Sequence, residues 1–181
     1  MTLAALIESL HGKGTFRRSA ARLPGGIETF ARVLDGKGIR TVVEIGTYRG
    51  VSAAVMAQYV DRVITIDLRH GRLERDGVTL DRLAFWHSLG LRNIEYLPVA
   101  DDMDKARQIA GLQFDFAFID GAHNADSVRS DFAMVKHCGR VLFHDYDDSG
   151  RQGLDFVYAF VNTLPARQVQ IMDGFAMWTA A

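Results

Sequence analysis

The ten residues Thr41-Val-Val-Glu-Ile-Gly-Thr-Tyr-Arg-Gly50 constrain this chain more than any other segment, because an apolar run closes on an acidic residue and then opens into two glycines four residues apart. The pattern is that of a β-strand ending in a sharp turn that feeds a helix, predicted here over Val51 to Val60. Gly46 is expected where the backbone turns and approaches a ligand too closely for a Cβ, and Gly50 where the helix begins tight against the sheet. Glu44 then stands where a carboxylate can meet a cationic or hydroxylated ligand.

A second apolar run, Arg62-Val-Ile-Thr-Ile-Asp67, ends on a carboxylate about twenty residues after the turn, the spacing at which nucleotide-binding α/β proteins keep the group that grips the ribose hydroxyls. Asp67 is therefore the candidate ribose ligand, since a carboxylate accepts two hydrogen bonds at once from a vicinal diol. From Thr41 onward, apolar strands (Val42 to Ile45, Val63 to Ile66, Ile94 to Val99, Phe116 to Ile119, Val141 to Phe143) alternate with helical patterns. Those helices are predicted at Val51 to Val60, Thr79 to Leu89, Met103 to Ala110, Ala125 to Val135 and Gly153 to Val161. The alternation is the signature of a parallel sheet. After Pro165 it gives way to Gln168-Val-Gln-Ile-Met172 and Phe175-Ala-Met-Trp-Thr179 around Asp173-Gly174, a β-hairpin. Two amphipathic helices precede the glycine turn, Leu3 to Leu10 and Ile27 to Leu34, each closed by a glycine.

The glycine spacing lacks the third glycine of Gly-x-Gly-x-x-Gly, which disfavours NAD or FAD. Glu44, Gly46 and Gly50 instead resemble the first motif of class I S-adenosylmethionine-dependent methyltransferases. Phe114-Asp-Phe-Ala-Phe-Ile-Asp-Gly-Ala-His123 and Val141-Leu-Phe-His-Asp-Tyr146 resemble the fourth and fifth strands of one branch of that superfamily, the small-molecule and sugar O-methyltransferase-like branch (methyltransferase family 24-like). The resemblance runs from about Ile39 to the C-terminus. It implies an α/β, Rossmann-like sandwich: a seven-stranded, mostly parallel sheet with a C-terminal antiparallel hairpin and helices on both faces. A single domain, 1–181, is expected, with 1–38 an N-terminal helical segment and candidate lid and 39–181 the catalytic core.

In open α/β sheets ligands lie beyond the carboxyl ends of the strands, near the point where strand order reverses. The five strand ends carry Glu44 with Gly46, Asp67, Ala100 with Asp101, Asp120 with His123, and His144 with Asp145 and Tyr146. The resemblance implies that Glu44, Gly46, Thr47, Tyr48 and Gly50 hold the methionine end of S-adenosylmethionine, Asp67 its ribose and Asp101 its adenine amine. Asp101 or Asp102 reads equally as the N-cap of the next helix. Asp120 is expected to orient the methionine ammonium or to ligate a metal. In metal-dependent relatives a carboxylate after the fourth strand and an acidic or amide pair after the fifth hold a divalent cation. The corresponding set here is Asp120, His144 and Asp145, and an imidazole in that shell weakens the case for magnesium in favour of manganese or another softer ion, or of no metal, with His144 then a base or a hydrogen-bonded structural histidine. For a hydroxyl acceptor the base candidates are His144, ranked first, and His123. Tyr146 is a candidate substrate contact, and Trp86, His87 and Trp178 are read as packing residues.

Composition sets the outer limits. With 181 residues, 48% hydrophobic and 24% charged, the chain is long enough for one well-filled core. A formal net charge of -1 gives no general attraction to a nucleic-acid backbone. The single Cys138 forms no internal disulfide, and with no leader pattern or membrane-length apolar stretch a cytoplasmic protein is expected. The expected activity is methyl transfer to the oxygen of a small hydroxylated acceptor, with homo-oligomerisation plausible because no insertion supplies a substrate domain. The alternatives are a catalytically inactive protein that binds the cofactor or another nucleoside, and a nicotinamide-dependent oxidoreductase.

Overall fold

The computed structural model describes residues 26–69, 81–122, 124–147 and 155–181. The predicted helix at Leu3 to Leu10, the lid segment before residue 26 and His123 lie outside them. The described chain runs α1 (Gly26–Leu34), β1 (Thr41–Ile45), α2 (Val51–Met56), β2 (Arg62–Leu68), α3 (Arg82–Ser88), β3 (Ile94–Val99), α4 (Asp102–Ala110), β4 (Phe116–Ile119), α5 (Ala125–Val135), β5 (Arg140–His144), α6 (Asp155–Val161), β6 (Val169–Met172) and β7 (Phe175–Thr179). Seven strands form one sheet in the order β3-β2-β1-β4-β5-β7-β6. The first five pair in parallel and β7 runs antiparallel to both β5 and β6, so the hairpin inserts its second strand next to β5. Strand order reverses between β1 and β4.

The central strands are apolar on both faces, as a sheet covered by helices on both sides requires. Val42, Val63, Phe116, Phe118 and Leu142 pack under α1, α2 and α3, with Phe30, Val55 and Trp86. Their sequence neighbours Val43, Ile64, Ala117, Val141 and Phe143 point the other way, into a second cluster with Ile109, Val128, Phe132 and Val157 from α4, α5 and α6. The period of two therefore puts Glu44 and Thr65, registered cross-strand partners, on the α2 face. Pro98 falls on the edge strand β3, where its missing N–H is tolerated.

Two boundaries differ from the sequence reading for identifiable reasons. The helix expected to reach Val60 stops at Met56, because Gln58 and Tyr59 donate to the carbonyls three residues back, Val55 and Met56. Ala57 and Val60 remain buried in this tight turn, which is why the apolar periodicity runs on past the helix. The fifth strand extends to His144, paired with Phe175.

Gly46 has φ +102°, and a Cβ there would sit 2.1 Å from the Asp120 carbonyl oxygen and 2.8 Å from Gly121 N. Both neighbours are backbone, so neither can swing aside. Gly46→Ala is expected to destabilise the fold by about 2–4 kcal/mol, from overpacking combined with a left-handed φ. A denaturant midpoint within error of the parent protein would show that the two strand ends can separate.

Candidate functional site

The turn after β1 is built by the ladder itself. Gly46 N donates to Ile66 O (2.8 Å), Asp120 N donates to Ile45 O (2.8 Å), and Gly50 N closes the turn onto Thr47 O (2.7 Å). The two glycines are thus required by the protein's own neighbouring atoms. Gly46 is pressed on Asp120, and a Cβ on Gly50 would meet the Trp86 indole at 2.6 Å, where the sequence reading placed a ligand and a sheet.

Glu44 is fully buried, and its oxygens accept from the Ser52 and Thr65 hydroxyls. Thr65 in turn shares a 2.6 Å hydrogen bond with Thr47, so a chain of hydroxyls ties β1, β2, the turn and the first turn of α2 to one carboxyl. Glu44 lies beneath the turn, not on its outer surface. Burial pushes its pKa up to about 8, against the opposing pull of the two hydroxyls and with added repulsion from Asp120 and Asp67.

Asp67 at the end of β2 is one-fifth exposed; Oδ2 accepts from Tyr48 N (2.8 Å) and Oδ1 from Leu68 N (2.8 Å). Tyr48 has φ +41°, an uncommon conformation for a side-chain-bearing residue. The Arg82 guanidinium holds the other end of the same residue, donating from Nε to Tyr48 O (2.6 Å) while its NH2 lies 3.8 Å from Asp67 Oδ2. Asp101 is exposed and caps α4, accepting from Asp104 N (2.8 Å), the capping alternative of the sequence reading.

Across the reversal point, His144 is buried and its Nδ1 lies 2.8 Å from Asp120 Oδ1 and 3.3 Å from Asp145 Oδ1. These three donors all lie within 4.8 Å of one another, a spacing that one cation can bridge. Asp145 has φ +55°, which turns the chain directly after β5. Burial lowers the His144 pKa, but the charge and hydrogen bond of Asp120 and the charge of Asp145 outweigh it and leave the imidazole above its ordinary range. The other ring nitrogen, Nε2, is buried without a hydrogen-bond partner among the described residues, and the ring packs against Phe118 and Phe175 at 6.4 and 5.2 Å. Only Nδ1 is therefore engaged with polar groups, and it is shared between two carboxylates.

Tyr146 stacks on Tyr158 of α6 at 5.2 Å and its N–H donates to Gly174 O, joining the hairpin turn to the end of β5. Trp86 and Trp178 are core residues as expected, whereas His87 is exposed on α3 and packs no core. Sequence reasoning missed Ser52, Thr65 and Arg82. The available signals were hydroxyls beside an acid on a face otherwise apolar, and an arginine one helical turn before a tryptophan.

Because Glu44 titrates near 8 when folded and near 4.5 when unfolded, the folded chain holds a proton between those values that the unfolded chain has released. Its contribution to stability is fully present below about pH 4.5 and is lost as pH rises through about 8. Glu44→Gln keeps the shape and the neutral state, so it is expected to remove a slope of about one proton per molecule from the stability-versus-pH curve in that window. It should also be at least as stable as the parent at pH 7. Denaturation across pH 5 to 9 checks this, and a parallel curve for the two proteins would exclude a neutral Glu44.

The fold matches that of known proteins. The structure is similar to the O-methyltransferase from Bacillus cereus in complex with SAH (TM-score 0.65, 19% identity, covering 100% of this chain and 92% of that one). It is also similar to the O-methyltransferase TomG from Streptomyces achromogenes in complex with SAM (TM-score 0.62, 20% identity, 100% and 92% covered). A third match is the SAH-bound Podospora anserina methyltransferase PaMTH1 (TM-score 0.60, 17% identity, 99% and 89% covered). No curated protein sequence matches the chain. The family model described as a methyltransferase domain matches residues 43–146, more than half of the chain, a span that runs from within β1 to just past β5 and contains Glu44, the turn from Gly46 to Gly50, Asp67, Asp101, Asp120, His144 and Asp145. The chain belongs to this methyltransferase domain family.

Proposed function

We propose that the protein transfers the methyl group of S-adenosylmethionine to an oxygen of a small hydroxylated molecule. The observation that carries the reading is the convergence, at the strand-order reversal, of a turn held on Asp67 with a cluster of Asp120, His144 and Asp145. The solved structures with SAM or SAH bound share this sheet, which supports the choice of cofactor. In this reading the turn from Gly46 to Gly50, with Thr47 and Tyr48, receives the methionine end. Asp67 accepts from the ribose diol and Asp101 lies on the adenine side, while Glu44 acts from below the turn through Ser52, Thr65 and Thr47.

Methyl transfer needs in-line alignment of an acceptor lone pair with the sulfonium methyl, and removal of the acceptor proton. His144 suits the base role assigned first from sequence less well, since Nδ1 is already shared by two carboxylates and Nε2 is buried with no polar partner among the described residues. That role falls to His123, three residues beyond Asp120 in the chain. Asp120, His144 and Asp145 fit a divalent cation, with two carboxylates and one imidazole favouring manganese or a similar ion over magnesium. Such an ion would supply a Lewis acid that lowers the pKa of an acceptor hydroxyl. Without any ion, the same carboxylates keep His144 oriented and hold a proton between them.

A small acceptor accords with the near-neutral charge, which offers no attraction to a nucleic-acid backbone. Among the described residues no helix is long and apolar enough to cross a membrane. A cytoplasmic location and a homo-oligomer that completes the acceptor pocket belong to the same proposal.

Calorimetric titration with S-adenosylmethionine and S-adenosylhomocysteine is expected to give micromolar dissociation constants, weakened about tenfold or more by Asp67→Asn. Folded protein that binds neither ligand would sink the proposal. Titration of Mn²⁺ alone, followed by electron paramagnetic resonance, is expected to show one bound ion, with affinity reduced at least about tenfold by Asp145→Asn. Equal affinity in the two proteins would remove the metal from the reading.

A further inference from the structure

Helix α3 carries two side chains that no part of the proposed chemistry uses. Arg82 and Trp86 stand one turn apart on the same face, and both reach over to the turn after β1. Arg82 Nε donates to Tyr48 O at 2.6 Å, and Trp86 Nε1 donates to Gly50 O at 2.8 Å. Both side chains are buried, at 7% and 1% exposure; the Trp86 bond is buried and the Arg82 bond partly so. Arg82 also donates from NH1 to Tyr96 OH (3.1 Å) and stacks over the Tyr96 ring at 4.7 Å; that ring meets the Trp86 indole edge-on at 6.5 Å. The N-terminus of α3 is itself fixed by Asp81, which accepts from Ala84 N at 3.0 Å. The clamp therefore projects from a capped helix onto a turn at the carboxyl end of the central strand β1.

We infer that Arg82 and Trp86 are positioning residues for cofactor binding, a two-pronged clamp that holds the Tyr48–Gly50 backbone in the conformation Asp67 needs. Tyr48 is the centre of the device. Its left-handed φ is disfavoured and persists only where the surroundings over-determine it. Its N–H is held by Asp67 and its carbonyl by Arg82, whose guanidinium also lies beside the same Asp67 oxygen. A buried cation needs a counter-charge, so Arg82 and Asp67 hold one another in place across the residue between them. Gly50 follows from the second prong: the indole occupies the space that a Cβ on residue 50 would need. The sequence distance between clamp and turn, 34 residues for Arg82 and 36 for Trp86, hides this unit from any local motif.

The inference rests on reading this turn as the cofactor site, and the test separates the two. S-adenosylhomocysteine is titrated into the parent, Arg82→Met, Asp67→Asn, the double variant and Trp86→Phe, each first checked for a cooperative thermal transition. Arg82→Met keeps the apolar stem and loses the donors, and it is expected to weaken binding about tenfold or more, the loss attached to a buried charge-assisted bond. In the Asp67→Asn background the same change is expected to cost less than about threefold, because Tyr48 is then already released at its other end. Trp86→Phe, which removes a single neutral donor, is expected to cost about fivefold. Equal binding by Arg82→Met and parent, or equal losses with and without Asp67, would overturn the clamp.

If the parent binds no S-adenosylhomocysteine, the cofactor reading fails and the clamp is judged without ligand. Amide exchange at Tyr48 and Gly50 is then expected to be at least about tenfold faster in Arg82→Met than in the parent, at matched global stability. Unchanged exchange at those amides would overturn the clamp independently of the cofactor.

Discussion

No side chain fits between the end of β1 and the end of β4, and the site depends on that exclusion. Gly46 lies against the Asp120 carbonyl, and Asp120 N donates back to Ile45 O, so the two strands at the reversal of the sheet meet backbone to backbone. This contact places the turn after β1 and the first polar residue after β4 side by side. It also fixes the direction in which Asp120 leaves the sheet, and hence its approach to His144 on β5. A sheet with a wider gap here would still bury its core, but the turn after β1 and the chain leaving β4 would no longer meet.

Buried charge around this contact is handled in two ways. Glu44, on the α2 face, meets hydroxyls alone, and the cost of desolvation drives it toward the neutral form. Asp120 meets an imidazole instead, so charge is kept and shared with Asp145. On the opposite face Lys105 of α4 is buried between Asp102 and Asp131, joining α4 to α5. Asp131 Oδ2 lies 3.1 Å from where a Cβ on Gly121 would be, so this ion pair abuts the residue directly after Asp120. The turn after β4 is therefore bounded by a carboxyl network on each side of the sheet, one neutral and one paired.

The sheet was legible because its information is local. Val-Val-x-Ile, Val-Ile-x-Ile and Phe-Ala-Phe-Ile are short apolar runs that suit a strand covered on both faces, and their alternation with helical patterns marks the parallel sheet, while Asp173-Gly174 announces the hairpin, with Gly174 at φ +72°. The polar residues at the strand ends were legible for the same reason. Their tasks were not. Nothing in Glu-x-Gly-x-x-x-Gly tells whether the glutamate faces a ligand or a serine in the following helix, since either satisfies a carboxyl at that place. The two nitrogens of His144 likewise have different surroundings only once Phe118 and Phe175, 26 and 31 residues away in sequence, pack against the ring. Arg82 was missed because, even one helical turn before a tryptophan, an arginine on a short helix reads as a solvated side chain until the fold buries it.

Strain is concentrated where these long-range contacts converge. Tyr48 and Asp145 are the non-glycine residues with positive φ among the described ones, and each follows a strand that borders the crevice. Such conformations cost roughly 1–3 kcal/mol apiece and persist only under external constraint. Tyr48 is constrained by Asp67 and Arg82, and the turn at Asp145 is held at its far end by Tyr146 N–H on Gly174 O. In both places the constraint comes from a different element of the sheet or its crossovers, so the strained turn cannot relax without breaking a contact to another element. The rigidity of this edge is therefore a property of the whole sheet, and the residues that secure it are spread over β2, α3 and the closing hairpin instead of lying in the turns themselves.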